Sequence, residues 1–299
     1  MKRVFLLRMM FFALCVSFVA CQKMIIDEAD GDEDVKNPKA VEFNISHLEQ
    51  IPFDQTFASR GTDVSSVCNR ISLALYKNGE KVKQINQTTA DSNFGHMKLV
   101  VAEGIYKVVV IAHSGEKNPT MSNPQKISFD GKVTDTFYYS EDVELKDGGS
   151  YDLTLRRAVA MFRLVISDKI PSDVALIRFY YTGGSSTFDA VHGVGSVNSR
   201  QTEPKYVTKD MQGKSGVFEV YTFPRSDSNV LKMQVTAHAS NNNVLYQKNF
   251  ENVEIKRNMI TQYKGNFFNG DSEEGGLGNG SLQLNFYSED EWDKRETLY

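Results

Sequence analysis

Beyond residue 40 the apolar positions recur every second residue rather than every three to four, which predicts strands. In Ile71–Tyr76 (ISLALY), Ile71, Leu73 and Leu75 fall on one face and Ser72, Ala74 and Tyr76 on the other. Asn78-Gly79 follows, the dipeptide that a two-residue hairpin turn selects, and Lys81–Gln87 is read as its return strand. Met97, Leu99 and Val101 alternate next. Tyr106–Ala112 is continuously apolar and β-branched, as expected of a strand buried on both faces. Thr136–Tyr139 and the alternating Tyr151, Leu153 and Leu155 bring the count to about seven strands before residue 157. The pattern then resumes in kind, at 159–166, 176–181, 218–223, 231–237, 244–250 and 259–268. Between these runs, 183–215 reads as a long Gly- and Ser-rich polar loop. No long amphipathic helix is legible. The expectation is an all-β protein of two tandem antiparallel β-sandwiches, 39–157 and 158–268, with the seam near Arg157.

The two ends depart from this pattern. Lys2, Arg3 and Arg8 precede an apolar run of twelve residues, Met9–Ala20, that is too short to span a bilayer and stops just before Cys21. Residues 1–20 therefore read as an export signal, and Phe18-Val19-Ala20-Cys21 is close to a lipobox. A small residue before the cysteine lets a peptidase reach the bond, and the new N-terminal thiol carries the lipid. Each buried acyl CH₂ contributes roughly 0.8 kcal/mol, so several chains give a durable anchor. Residues 21–38 are an acidic tether, with six carboxylates between Asp27 and Asp34 that repel one another and extend the chain. An EF-hand loop counted from Asp30 fails, because Val35 and Val41 stand where Gly and Glu are required.

At the other end, 269–299 opens with a linker holding five glycines in the thirteen residues 269–281. Leu282, Leu284 and Phe286 then alternate along a lone strand. Such a strand cannot bury an apolar face by itself, so it must complete a sheet in this chain or in a neighbour.

Composition narrows the possible functions. The 299 residues carry a formal net charge of −4, and removal of the signal takes away three of the positive charges, so nucleic acid is not an expected partner. Once Cys15 leaves with the signal and Cys21 is acylated, Cys68 is the remaining thiol, expected to be unreactive, either in the core or on an inert surface. His47, His96, His113, His192 and His238 form no metal-type spacing, and no CxxC exists. Gly183-Gly184-Ser185-Ser186-Thr187 lacks the spacing and the lysine of a phosphate loop. Neither a catalytic residue nor a metal or cofactor site is expected, and the protein is read as a non-enzyme. Arg156-Arg157 reads as a strand end facing water, and Arg60 as an exposed loop arginine that a protease could also cut.

Four blocks, at 93–115, 134–139, 151–168 and 179–203, together with the lipobox, resemble the FimB/Mfa2 family of Bacteroidales fimbrial lipoproteins. The resemblance implies two transthyretin-like sandwiches, no catalysis, and a lipid-anchored subunit at the base of a type V fimbria that limits fibre length. It implies major or minor fimbrilins as partners, outer-membrane lipid through acylated Cys21, and a surface or fimbrial location. By the same resemblance, the first strand near Val41–Ile45 stays in place, and Leu282, Leu284 and Phe286 mark a candidate donor strand. Cleavage at Arg60 would instead mark a processed stalk or accessory subunit. A surface glycan- or host-binding lipoprotein, using the 183–201 loop with Tyr180, Tyr181 and Phe188, is the other reading.

Overall fold

Period-two alternation needs a partner surface on every inward face, and the chain supplies it by folding strands over one another. The computed structural model describes residues 38–49 and 63–269, and the backbone of 282–287. Residues 38–49 and 63–269 lie in one compact unit. The first strands are β1 (Lys39–Leu48), β2 (Arg70–Lys77), β3 (Glu80–Thr88), β4 (His96–Val101) and β5 (Gly104–His113). After them come β6 (Ile127–Ser128), β7 (Thr136–Leu145) and β8 (Ser150–Arg157). Seven of these run in the order β3-β2-β5-β7-β8-β1-β4. The β7–β8 link is short, pairing Phe137 with Arg157 and Tyr138 with Arg156, so it acts as a corner. The leaf β3-β2-β5-β7 closes there over the leaf β8-β1-β4, and Phe43, Ile45, Leu73, Met97, Val108, Val110 and Leu155 meet in one core.

The Asn78-Gly79 hairpin forms as expected, both residues taking positive φ (53° and 84°), which the mirror-image turns require. β1 is central in its leaf, antiparallel to β4 and parallel to β8. Val41, Phe43, Ile45 and Leu48 on β1 are buried.

The chain continues through β9 (Ala160–Ile166), β10 (Leu176–Thr182), β11 (Thr187–Asp189), β12 (Val194–Gly195) and β13 (Gln201–Tyr206). Then come β14 (Gly216–Thr222), β15 (Val230–His238), β16 (Val244–Glu254), β17 (Ile260–Gly265) and β18 (Leu282–Tyr287). Two four-stranded sheets result, β13-β10-β15-β16 and β14-β9-β17-β18. They enclose a second core built on Phe162, Leu164, Phe179, Val220, Met233, Val235 and Phe250. The all-β sandwich expectation is met, with a refinement. β1–β8 and β17–β9 pair in parallel, each pair being joined by a long crossover through other strands rather than by a hairpin. Among the described residues, no helix is long and apolar enough to cross a membrane.

A third core fills the seam. One face of β2 and β5 serves the first core, while Ala74, Tyr76, Val109 and Ile111 point the other way. They pack with Met121, Ile127, Val159, Met161, Phe188, Phe223 and Ile260. A small sheet, β12-β11-β6, pairs Phe188 with Ile127 and so stitches the two halves by backbone bonds. Tyr138, Phe188, Phe223, Phe129 and His113 form a chain of ring contacts through this region.

Two sequence expectations are corrected here. The stretch 183–215 is not one long loop, since it contains β11, β12 and β13. β13 has the alternation of a strand, but its inward positions are the polar Gln201 and Glu203. Arg157 does not face water either, being 1% exposed. Its guanidinium grips Asp135 with two bonds (2.8 and 3.0 Å), donates to Asn258 Oδ1 at 2.6 Å and lies 4.8 Å over the Phe137 ring. It thereby ties the first core to the β16–β17 turn. Of the two placements left open for Cys68, the core is the one observed, and burial pushes its thiol pKa well up, helped by the nearby Asp135 charge.

Removing one partner of a buried pair strands the other charge. Arg157→Ala should lower unfolding free energy in urea by about 3–5 kcal/mol. Truncating the exposed Lys98, which pairs with Glu42, should cost less than about 1 kcal/mol.

His113 gives a pH signature. Burial, aided by the Arg70 charge, lowers its pKa from 6.5 to about 4. The unfolded chain therefore takes up the proton below about 6.5 while the fold resists it. Stability should decline as pH drops from 6.5 toward 4, by about 3 kcal/mol in all, and level off below. Denaturation midpoints measured across that window should lose this component in His113→Asn.

Candidate functional site

Strand edges are where a β-protein can accept another chain, and the outer edge of β17 is the edge that matters here. β17 lies between β9 and β18, and β18 pairs antiparallel along its whole length. Leu282 stands opposite Gly265, Leu284 opposite Tyr263 and Phe286 opposite Thr261. The three candidate donor positions thus meet β17 of their own chain, and β18 is the last strand of its sheet. Cys21 and Arg60 lie outside the described residues.

The point where the chain leaves β17 is firmly held. The Asp168 carboxylate accepts from the backbone N–H of Phe267 (2.9 Å), Phe268 (2.8 Å) and Asn269 (2.7 Å). Phe267 and Phe268 are buried in the second core, and Phe268 stacks edge-on with Tyr246. Lys248 Nζ donates to the Asn266 carbonyl at 2.7 Å and sits over the Phe267 ring. Nothing in the sequence marks Asp168 for this role, because the three amides it serves lie about a hundred residues away in the chain.

The 183–201 surface does not gather the aromatics expected of it. Tyr181 and Phe188 are fully buried and only Tyr180 is exposed. The Tyr181 hydroxyl donates to Glu203 Oε1 at 2.7 Å within the core, and burial raises its pKa well above the usual range. Gln201 Nε2 donates to Thr222 Oγ1, which donates on to the Ser185 carbonyl. This is an internal polar network. Its glycines serve close packing: a Cβ on Gly183, which has φ +100°, would collide with the Val230 carbonyl. Arg156 lies over the Tyr138 ring. Among the described residues, no three His, Cys, Asp or Glu side chains gather as a metal site. His192 pairs with Asp189 at 2.7 Å, and His238 bonds Thr236 and the Asn242 carbonyl.

Asp168→Ala should leave three N–H groups, two of them buried, without this acceptor. It should cost at least about 2 kcal/mol. Amide exchange should accelerate at Phe267, Phe268 and Asn269 while the strands of the first core keep their protection.

Comparison with known proteins gives a fold and a family. No curated protein matches the chain. A candidate adhesin from Bacteroides ovatus is 9% identical, covering 84% of this chain and 95% of that one, with a TM-score of 0.50. Another from the same species is 12% identical over 75% of this chain and 87% of that one, with a TM-score of 0.49. The tip fimbrial protein Mfa3 of Porphyromonas gingivalis, truncated at its C-terminus, is 9% identical over 84% of this chain and 99% of that one, with a TM-score of 0.42. At such identities, likeness speaks to fold alone. Residues 33–297 match the model of a family of unknown function, DUF6562, and the chain belongs to that family.

Proposed function

We propose that this protein is a surface-exposed, fimbria-type structural subunit, moored in the outer membrane by a lipid on Cys21 and joined to another subunit by strand exchange. In this reading the bodies 39–157 and 158–268 serve as tandem sandwiches. A fimbrilin is the partner, the base of the fibre is the station, and FimB/Mfa2-type anchors are the nearest functional analogy. The observation that carries the reading is β18, held to its sheet by one neighbour and joined to the Asp168-held exit by the glycine-rich stretch 270–281. Main-chain bonds from an added strand supply affinity and alternate side chains set register, so the edge that β18 covers can equally take a foreign strand. The fold shared with the first Bacteroides ovatus adhesin candidate agrees with such a role.

β1 favours an anchor over a processed stalk subunit. A stalk-type opening requires the first strand to leave. Here β1 is bonded on both sides, and its departure would expose Val41, Phe43, Ile45 and Leu48, at about 1.5–3 kcal/mol each. Even a cut at Arg60, which lies beyond β1 in the chain, would leave that strand held by its neighbours.

Two measurements test this proposal. Labelled palmitate should incorporate into the wild type and not into Cys21→Ser, and the variant should leave the membrane fraction. Deleting residues 281–299 should give cells whose fibres are absent, shed or of altered length under the electron microscope. Normal, retained fibres in that deletion, or palmitate uptake that persists without the thiol, would overturn the reading.

A further inference from the structure

A cleft of about 650 Å³ opens where the first core meets the small β12-β11-β6 sheet, within the size range of small-ligand sites and at the kind of junction where they concentrate. One wall is the Asn78-Gly79 turn with the start of β5, and the other is the 122–125 segment with Val191. Both walls are fixed before any ligand arrives. The Tyr76 hydroxyl donates to the Met121 carbonyl at 2.5 Å, and Ala190 N–H donates to the Pro124 carbonyl at 2.9 Å. Asn123 Oδ1 accepts from Gln125 N–H at 2.9 Å.

Two of the cleft's charges cancel, since Lys107 pairs with Asp142 at 3.0 Å. The Lys77 ammonium sits 5.4 Å over the Tyr106 ring, which turns it toward β5 without neutralising it. The other polar groups that face a ligand are neutral: the Asn78 and Gln125 amides and the Ser122 hydroxyl, all exposed. Beside them Ile105, 65% exposed, and Val191, 38% exposed, offer apolar ledges. Uncharged donors and acceptors beside aliphatic carbon match a molecule that is neutral, rich in hydroxyls and apolar on one ring face. We propose that this cleft binds a neutral saccharide, an activity independent of strand exchange and placed away from β18.

The test uses the mature chain from residue 21 and titrates maltotriose, cellotriose, mannotriose and, as the anionic counterpart, trigalacturonate, by calorimetry and amide chemical shifts. A neutral trisaccharide should bind saturably and shift residues 77–79 and 122–125. Asn78→Gly keeps the positive-φ turn while removing the amide, and Gln125→Ala removes the second. Each should weaken binding about fivefold to tenfold, the range expected for one lost hydrogen bond. Ile105→Glu, at an exposed position that the fold does not need, should abolish it. No shift with any neutral sugar at about 10 mM, affinity indifferent to all three variants, or tighter binding of trigalacturonate would overturn the assignment.

Discussion

Two residues, Ala158 and Val159, separate β8 from β9, and both are fully buried. A passage that short and that dry leaves no hinge: whatever rotates β9 must also drag β8 through the seam core. Arg157, immediately before it, converts a packing constraint into an electrostatic one. Its guanidinium is out of water, so its charge is tolerable only while Asp135 on one side and Asn258 on the other stay in place. Much else follows from this junction. The face of β2 and β5 that an ordinary sandwich would show to solvent is instead covered by Phe188, Phe223 and Met161. The short β6–β11 pairing exists because the two halves are held near enough for backbone bonds to form.

Against that rigid background the strand edges differ in how they are guarded. β3 carries Glu80, Lys81 and Lys83 in exposed positions, and β13 has Pro204, which lacks an N–H to offer a new partner. On the opposite leaf, β4 places Lys98 beside Glu42. β17 carries a single exposed lysine, Lys264. It is covered by β18, a strand that reaches it only through a glycine-rich connection. In the proposed strand exchange, an edge covered in this way would be protected against chance pairing yet open to specific pairing. With the three amides after β17 held by Asp168, release of β18 would leave Phe267 and Phe268 anchored in the core.

Much of this was legible as local pattern. The alternation at 71–76 and 97–101, the β-branched run at 106–112 and the Asn78-Gly79 turn each dictate their structure within a few residues. Parity says more still. Leu153 and Leu155 face inward, and Arg157 shares their phase, so its burial was written in the alternation even though a pair of arginines suggests solvent. The same holds for Tyr181, in phase with Ile177 and Phe179, while Tyr180 falls on the outer face. Grouping the two tyrosines as one surface ignored the pleat. β13 was illegible for a different reason. Its inward positions are Gln201 and Glu203, bonded to Thr222 and to Tyr181, so a scan for apolar alternation finds nothing where a polar network does the packing.

The sites were less legible than the fold because they are assembled from a distance. The proposed lipidation at Cys21 is readable as a local signal, since a peptidase and a lipid would act on adjacent residues. The cleft brings residues 77–79, 105–107, 122–125 and 191 together, and none of these segments has a motif. What makes them a site is subtraction. Asp142 answers Lys107, Tyr106 receives Lys77, and the neutral amides remain, a result that needs the coordinates of every partner. Asp168 follows the same logic, since a carboxylate just past a strand end is unremarkable until three amides from the far end of the chain converge on it. Local pattern therefore specifies which strands form and which faces they bury. The leftover valences of the folded chain, a covered edge at β17 and unpaired amides at the seam, are the features that the proposed strand exchange and saccharide binding would use.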